Sequence, residues 1–470
     1  MANLASRLLA AARLRLEALR ARLAGPPLGG GCGYPEGEIV ARAILGRRAL
    51  YPRGYGAVAF GGPRRGCRRS PPAMEDLLVL APPAFTPGRL EVLAEKFREP
   101  LYSDVETGGT LGGFRVRLPL AVASMGSTDV ASRYSLAIAR GAARAGVVYG
   151  VGENVATVRG YDRRLTRGHP SLLERLTAYL SEAAERGLGG VTIQQSVEDA
   201  YDELWNRVYS DKRIDPYIDE GMVAFEVKVG QGAKPGLGGV IRVPRGEAER
   251  LSRKYRLDFD PGGRWATRYS APATFTAEIL RGMIRNMRTS YPRVRIWVKL
   301  GGFRDALEAV RIAAGEGADA VVLDGGEGGT GLAPIPALRH LGLPTIAMAA
   351  AARRARELGY SVDIMLSGGL YSGFHLVASL ALGASGIAAG RPFLIAAAAA
   401  GPRGVERYVE SVLVEAQMLA SALGKYRLDR LGPEDLAAVD PHAARALGVA
   451  YALNPQWGAA AAREAGRAAL

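Results

Sequence analysis

At 470 residues, with 48% apolar and 23% charged side chains, the chain has enough nonpolar material for a sizeable core, which excludes a wholly disordered polypeptide. The formal charge of +15 raises nucleic-acid binding, but the arginines are scattered along the whole chain and aromatic residues make up only 7%. No interleaved stacking platform is present, so no nucleic-acid partner is expected, and attraction for anionic small substrates explains the charge more simply.

The chain opens with Leu4, Leu8, Leu16, Leu19 and Leu23 along one helical face and arginines around the rest. Residues 1–30 are therefore expected to form an amphipathic helix, read as a docking or oligomer-contact element, and the protein as a homo-oligomer. The first residues lack the continuous apolar stretch of a secretory signal, and the longest strongly apolar run, 393–400, is too short to span a bilayer. The two cysteines, Cys32 and Cys67, supply neither a disulfide framework nor a metal centre; no metal site is expected, and a reducing cytoplasm fits. A Gly/Pro-rich stretch near residue 30 breaks the first helix, and 31–115 reads as a lead-in segment packed on the main domain.

From Leu118 the rhythm changes. Short apolar runs, expected as buried parallel strands, fall at 120–124, 147–150, 191–195, 223–229, 295–300, 320–324, 362–367 and 386–390. Helical patterns alternate with them at 129–145, 171–186, 199–208, 273–290, 304–315 and 371–382. Eight βα units in about 280 residues favour a closed (β/α)8 TIM barrel over an open doubly wound sheet. The fold class is α/β, a barrel over 116–425 with an N-terminal helical or irregular extension and a C-terminal helical tail over 426–470. A long interruption at 236–271, after the fourth strand, is placed by such a barrel on the active face, over the ligand.

The strand ends carry the chemistry. The first runs into Ser124 and Met125 among small residues that let a flat ring approach the backbone, and the third ends in Gln194 and Gln195. The fourth leads through Lys228 into a Gly-rich loop with Gln231 and Lys234, a cationic setting suited to a dicarboxylate. Lys299 lies inside the apolar fifth strand, where an unpaired ammonium would be costly; at a barrel mouth it would stabilise negative charge developing on a bound ring. Gly325, Gly326 and Glu327 follow the sixth strand, Gly368 and Gly369 the seventh. Gly390 and Arg391 follow the eighth at a helix start, where backbone N–H groups and a guanidinium can cradle a phosphate. The four histidines match no metal-ligand spacing.

The segment QGAKPGLGG at 231–239 after Lys228, then DGGEGGTGLAP at 324–334, Gly342-Leu343-Pro344 and SGGLYSG at 367–373, resembles, in the same order, the synthase domain of glutamate synthases. The resemblance covers roughly 85–400 and implies FMN at the mouth of the barrel. It further implies that 2-oxoglutarate and ammonia, or nitrogen derived from glutamine, give 2-iminoglutarate, which hydride from reduced FMN converts to L-glutamate. By motif position, Ser124, Met125, Gln195, Lys299, Gly325, Gly326, Gly368, Gly369, Gly390 and Arg391 would hold FMN. Glu153, Lys228, Gln231 and Lys234 would face the substrate, with Lys299 and Glu327 as the catalytic pair. Two departures qualify the implied function. The family commonly carries three cysteines after the eighth strand for an iron–sulfur cluster, whereas 393–413 has none, so no such cluster is expected in this chain. The second-strand motif reads Val151-Gly152-Glu153-Asn154-Val155 instead of Thr-Gly-Glu-Gly-Gly. Separate electron-donor and amidotransferase subunits are then expected partners. The competing expectations are a type 2 isopentenyl diphosphate isomerase-like or other FMN oxidoreductase of the same superfamily, and a non-catalytic flavin-binding subunit.

Overall fold

Alternating apolar residues in eight short runs close into a ring. A computed structural model describes residues 35–50, 72–230, 236, 238–270, 276–328 and 340–454. The barrel strands are β1 (Leu120–Met125), β2 (Val148–Val151), β3 (Val191–Gln194), β4 (Val223–Lys228), β5 (Arg295–Leu300), β6 (Ala320–Asp324), β7 (Asp363–Ser367) and β8 (Gly386–Ala389). Each pairs in parallel with its neighbours, and β8 returns to β1, so the barrel is closed. All eight expected strands are present, with ends within a residue of the sequence reading.

Side-chain parity divides the core in two. Outward residues such as Val122, Ile193, Phe225, Ile296, Val321, Leu366 and Ile387 pack under the surrounding helices. Inward residues Ala121, Val148, Ala224, Trp297, Val322, Met365 and Ala388 form a separate cluster with Leu111 and Phe114. These last two belong to a hairpin, Gly109–Leu111 paired with Phe114–Val116, that closes the N-terminal end of the barrel. The Trp297 indole N–H donates to Gly112 O at 2.9 Å. Gly112 has φ +57°, and a Cβ there would lie 2.2 Å from the indole ring, so both backbone and packing demand glycine. Burying a side chain of this size contributes about 2–3 kcal/mol and leaves the barrel plugged below and polar above.

The helices follow local signals. Thr128 caps Asp129–Ala145, accepting from Ala131 N, and Ser171 with Glu174 makes a capping box for Leu172–Ala184. The single helix expected at 199–208 is instead two, Val197–Ala200 and Leu204–Ser210, separated where Glu203 takes φ +50°. A sequence period cannot reveal that break. The long final helix, Arg391–Ala422, is interrupted at Ala400 and Gly401, just before Pro402. Helix Glu36–Leu45 packs on it through Arg42, whose guanidinium contacts Glu38 and Glu415 at 2.7 and 2.5 Å.

Beyond residue 425 the described chain is less helical than expected. Strand Leu436–Ala438 pairs antiparallel with Leu78–Leu80 of the lead-in segment and parallel with Ala450–Tyr451, and the helix there spans only Pro441–Leu447. The expected N-terminal helix at 1–30 lies outside the described residues. No helix among them is long and apolar enough to cross a membrane.

The interruption after β4 is a small unit of its own. Strands Val240–Pro244, Trp265–Tyr269 and Arg256–Phe259 form an antiparallel sheet in that order, with helix Arg245–Leu251 between the first and the last in sequence. It leans on the loops after β2 and β3. Leu251 and Tyr255 pack with Val158, the Tyr255 hydroxyl donates to Asn154 Oδ1, and Lys254 pairs with Asp202.

Candidate active site

On β3, β4, β5 and β6 the inward row ends, toward the C-terminal end, in amide or charged side chains. Thr192 leads to Gln194, Ala224 to Glu226 and then Lys228, Trp297 to Lys299, and Val322 to Asp324. The period of two thus builds a polar floor on an apolar plug. Lys299 Nζ lies 3.5 Å from Asp324 Oδ2, both side chains only 7% exposed. The Gln194 amide donates to Glu226 Oε1, and its Oε1 accepts from Glu153 N at 3.3 Å. Ser124 Oγ and Thr192 Oγ1 are hydrogen-bonded at 3.2 Å. At the rim, Lys228 Nζ is ion-paired with Glu153.

Parity also separates the two glutamines at the end of the third strand. Gln195 lies one residue beyond the inward Gln194, and its Oε1 accepts from Trp205 N at 3.0 Å, holding the start of helix Leu204–Ser210. The glutamine presented to the floor is Gln194. Glu226, which the sequence does not single out, lies two residues before Lys228 and so shares its face.

The glycine turns after β6, β7 and β8 differ in what they require. A Cβ on Gly325 would lie 2.2 Å from Thr345 Oγ1, and one on Gly368, with φ +114°, would lie 2.5 Å from the same atom. Both glycines allow Thr345 to nest between the loops, where its Oγ1 lies 2.8 Å from Gly368 O. Gly326 N donates to Leu343 O, and Gly369 faces the Glu327 side chain. Gly390 is unlike them: its φ is −106° and the nearest atom to an added Cβ is 3.7 Å away. Neither backbone nor packing demands a glycine there. Its open side lies at the start of helix Arg391–Ala422, which no side chain caps. That cradle fits a phosphate monoester, because a helix N-terminus presents backbone donors and positive potential.

Glu327, expected as a catalytic residue, lies against Thr345. Its Oε2 accepts from Thr345 N and Thr345 Oγ1, both at 2.8 Å, so the carboxylate closes the N-terminus of helix Thr345–Glu357. Burial pushes its carboxyl pKa up. Arg391 Nη2 donates to Glu327 O at 2.6 Å, joining the turns after β6 and β8.

Met125 receives a hydrogen bond on its carbonyl from Gly152 N at 2.9 Å, and its sulfur is the atom nearest the open side of Gly390. Ser124, Met125, Glu153, Lys228, Lys299, Gly368, Gly369, Gly390 and Arg391 are thus all at the C-terminal end of the barrel. Gln231 and Lys234 lie outside the described residues. Among the described residues, no group of three or more His, Cys, Asp or Glu side chains is arranged for a metal ion. The residues would suit a flat polar ring bearing a phosphate, with Gln194 and Lys299 as donors and a cradle at the start of helix Arg391–Ala422.

Comparison with known proteins places residues 105–403 in a model described as the conserved region in glutamate synthase. A glutamate synthase large subunit-like protein of Rhizobium meliloti (strain 1021) is 31% identical over 273 residues, 47% of this chain and 60% of that one. An archaeal glutamate synthase (NADPH) of Methanocaldococcus jannaschii is 34% identical over 189 residues, 38% of this chain and 35% of that one. The matches therefore span between about a third and three fifths of these relatives' length. Among solved structures, a mandelate oxidase mutant with (S)-mandelic acid is 21% identical with a TM-score of 0.49, covering 88% of this chain and 95% of that one.

Proposed function

The chain belongs to the glutamate synthase family, and from that premise we propose that its barrel mouth binds FMN and reduces 2-iminoglutarate, formed from 2-oxoglutarate and ammonia, to L-glutamate. The observation that carries this reading is the buried Lys299–Asp324 pair on a polar floor, above an apolar plug and beside an open glycine at a helix start. Bound FMN would supply the hydride. The chain's own residues hold and orient. Gly390 and Arg391 take the phosphate, Ser124 and Met125 support the ring from β1, and Gln194 and Lys299 meet its polar edge. Lys299, buried in the floor beside Asp324, would stabilise negative charge on the ring.

Lys228 supplies the cation for a substrate carboxylate. Its ion pair with Glu153 keeps it oriented, and an entering dicarboxylate competes with Glu153 for the ammonium. Gln231 and Lys234, from the adjoining Gly-rich loop, are proposed to complete the substrate side. Glu327 acts as a positioning residue that locks the turns after β6 and β8. With no cysteine in 393–413, electrons are proposed to come from a separate donor subunit, and nitrogen from free ammonium or an amidotransferase partner.

The test is anaerobic turnover. Protein loaded with FMN and reduced chemically is mixed with 2-oxoglutarate and ammonium, and the flavin spectrum and glutamate are followed together. Flavin reoxidation with one glutamate per flavin supports the reading. Stable reduced flavin and no glutamate, with both substrates in excess, refutes it.

A further inference from the structure

The floor holds one carboxyl that the proposed reaction leaves without a task. Glu226 is 2% exposed, on β4 between inward Ala224 and Lys228. From β3, Gln194 donates to it, and Ser124 of β1, bonded to Thr192, favours its charged form. From β5 the Lys299 ammonium faces it, and Lys228 lies two residues along its own strand. Among the described residues, the two lysines are themselves ion-paired, Lys299 with Asp324 of β6 and Lys228 with Glu153 after β2. With all five of these groups ionised, two ammonium groups stand against three carboxylates; one proton on Glu226 makes the set neutral. Burial drives the carboxyl pKa up, and the two lysines, Gln194 and Ser124 pull it down without overcoming that drive. The balance is therefore sensitive to any charge placed over Lys299, which would draw on the same ammonium.

We propose that Glu226 is the proton-holding residue of the mouth, taking a proton from solvent when a ligand over Lys299 gains negative charge and releasing it when that charge leaves. The proposal rests on the FMN reading. Two electrons and one proton convert the oxidised ring into a form carrying one more negative charge. The Glu226 carboxylate takes a second proton and becomes a carboxylic acid, so the net charge of the site is unchanged. The electrons come from an external reductant, dithionite in the experiment below. Coupling of this kind needs no contact between Glu226 and the ring, only the shared cation.

The experiment is equilibrium reduction of the FMN-loaded full chain by dithionite with redox mediators, between about pH 6 and 9, for wild type and Glu226→Gln. Expected is an interval in which wild type takes up two protons per two electrons, read from the slope of midpoint potential against pH, and the variant takes up one. Reduced-minus-oxidised infrared difference spectra of wild type give a second readout, a new carboxylic-acid carbonyl band on reduction. One proton per two electrons in wild type throughout that range, with no such band, overturns the proposal. If the variant does not fold, the wild-type slope and spectrum decide alone. Failure of the protein to take up FMN at all overturns the underlying reading together with this one, whereas bound flavin with a single-proton slope overturns this one only.

Discussion

Lys228 at the end of β4 is ion-paired with Glu153, two residues beyond β2, so the lysine that opens the Gly-rich segment is tied across the barrel mouth. The two side chains are 11% and 20% exposed, enough for a ligand to reach them and little enough for the charges to be felt. An acidic substrate would exchange one carboxylate partner of Lys228 for another.

Lys228→Gln is therefore expected to weaken 2-oxoglutarate binding at least about tenfold, near 1.4 kcal/mol, with FMN affinity changed much less. Titration of the bound-flavin spectrum with 2-oxoglutarate checks this. An unchanged dissociation constant in the variant would remove Lys228 from the substrate site.

Lys299→Ala should cost both stability and cofactor affinity. The lysine is buried against Asp324, and removing one member of a buried ion pair strands the other, at about 3–5 kcal/mol. Thermal unfolding reads the first effect and FMN titration of the apoprotein the second. In the double variant Lys299→Ala, Asp324→Asn, much of the stability should return while FMN affinity stays low. Recovery of both would mean that the lysine serves the fold alone.

Two glycine substitutions should separate packing from cofactor contact. Gly368→Ala meets Thr345 Oγ1 at 2.5 Å in a left-handed backbone, and should destabilise by about 1–3 kcal/mol. Gly390→Ala has an ordinary φ and room for its Cβ, so unfolding should be nearly unchanged. Its methyl group would nonetheless occupy the proposed cradle, and FMN affinity should fall at least about tenfold. Wild-type FMN affinity in Gly390→Ala would leave that cradle without a phosphate.

Fold and site were unequally legible in the sequence. The eight strands could be placed because both faces of a parallel barrel strand are buried, which makes 223–228 or 320–324 stand out as apolar runs. The same property hid the direction of individual side chains. In Gln194-Gln195 nothing local says which glutamine faces inward; that follows only from the register of β3 with β4, which sets Gln194 beside Glu226. Glu226 was passed over beside the more conspicuous Lys228. Glu327 fell within a recognised motif, yet its carboxylate is used by a helix that begins at Thr345, a contact between elements that one-dimensional spacing does not carry. The sheet after β4 leaves only the signature of an insertion in the sequence, because short polar strands such as Arg256–Phe259 give little hydrophobic alternation.

The buried carboxyls give a pH signature. Both Glu226 and Glu327 have pKa values raised mainly by burial. A carboxyl raised in the folded state contributes stability fully present below its unfolded pKa of about 4.5 and lost as pH rises through its folded value. The Tm of Glu226→Gln relative to wild type should accordingly rise between about pH 4 and pH 8, the amide keeping the shape without the charge. A Tm difference that is flat across this range would show that Glu226 does not change its protonation preference on folding.

The most direct measurement is equilibrium titration of the apoprotein with FMN and, in parallel, with riboflavin, which has the same ring and no phosphate. A site that would hold the phosphate at Gly390 and Arg391 and the ring at Gln194 and Lys299 predicts that FMN binds at least about a hundredfold more tightly, near 2.7 kcal/mol. Equal affinities, or no flavin binding to a folded protein, would contradict a flavin-phosphate site at this end of the barrel.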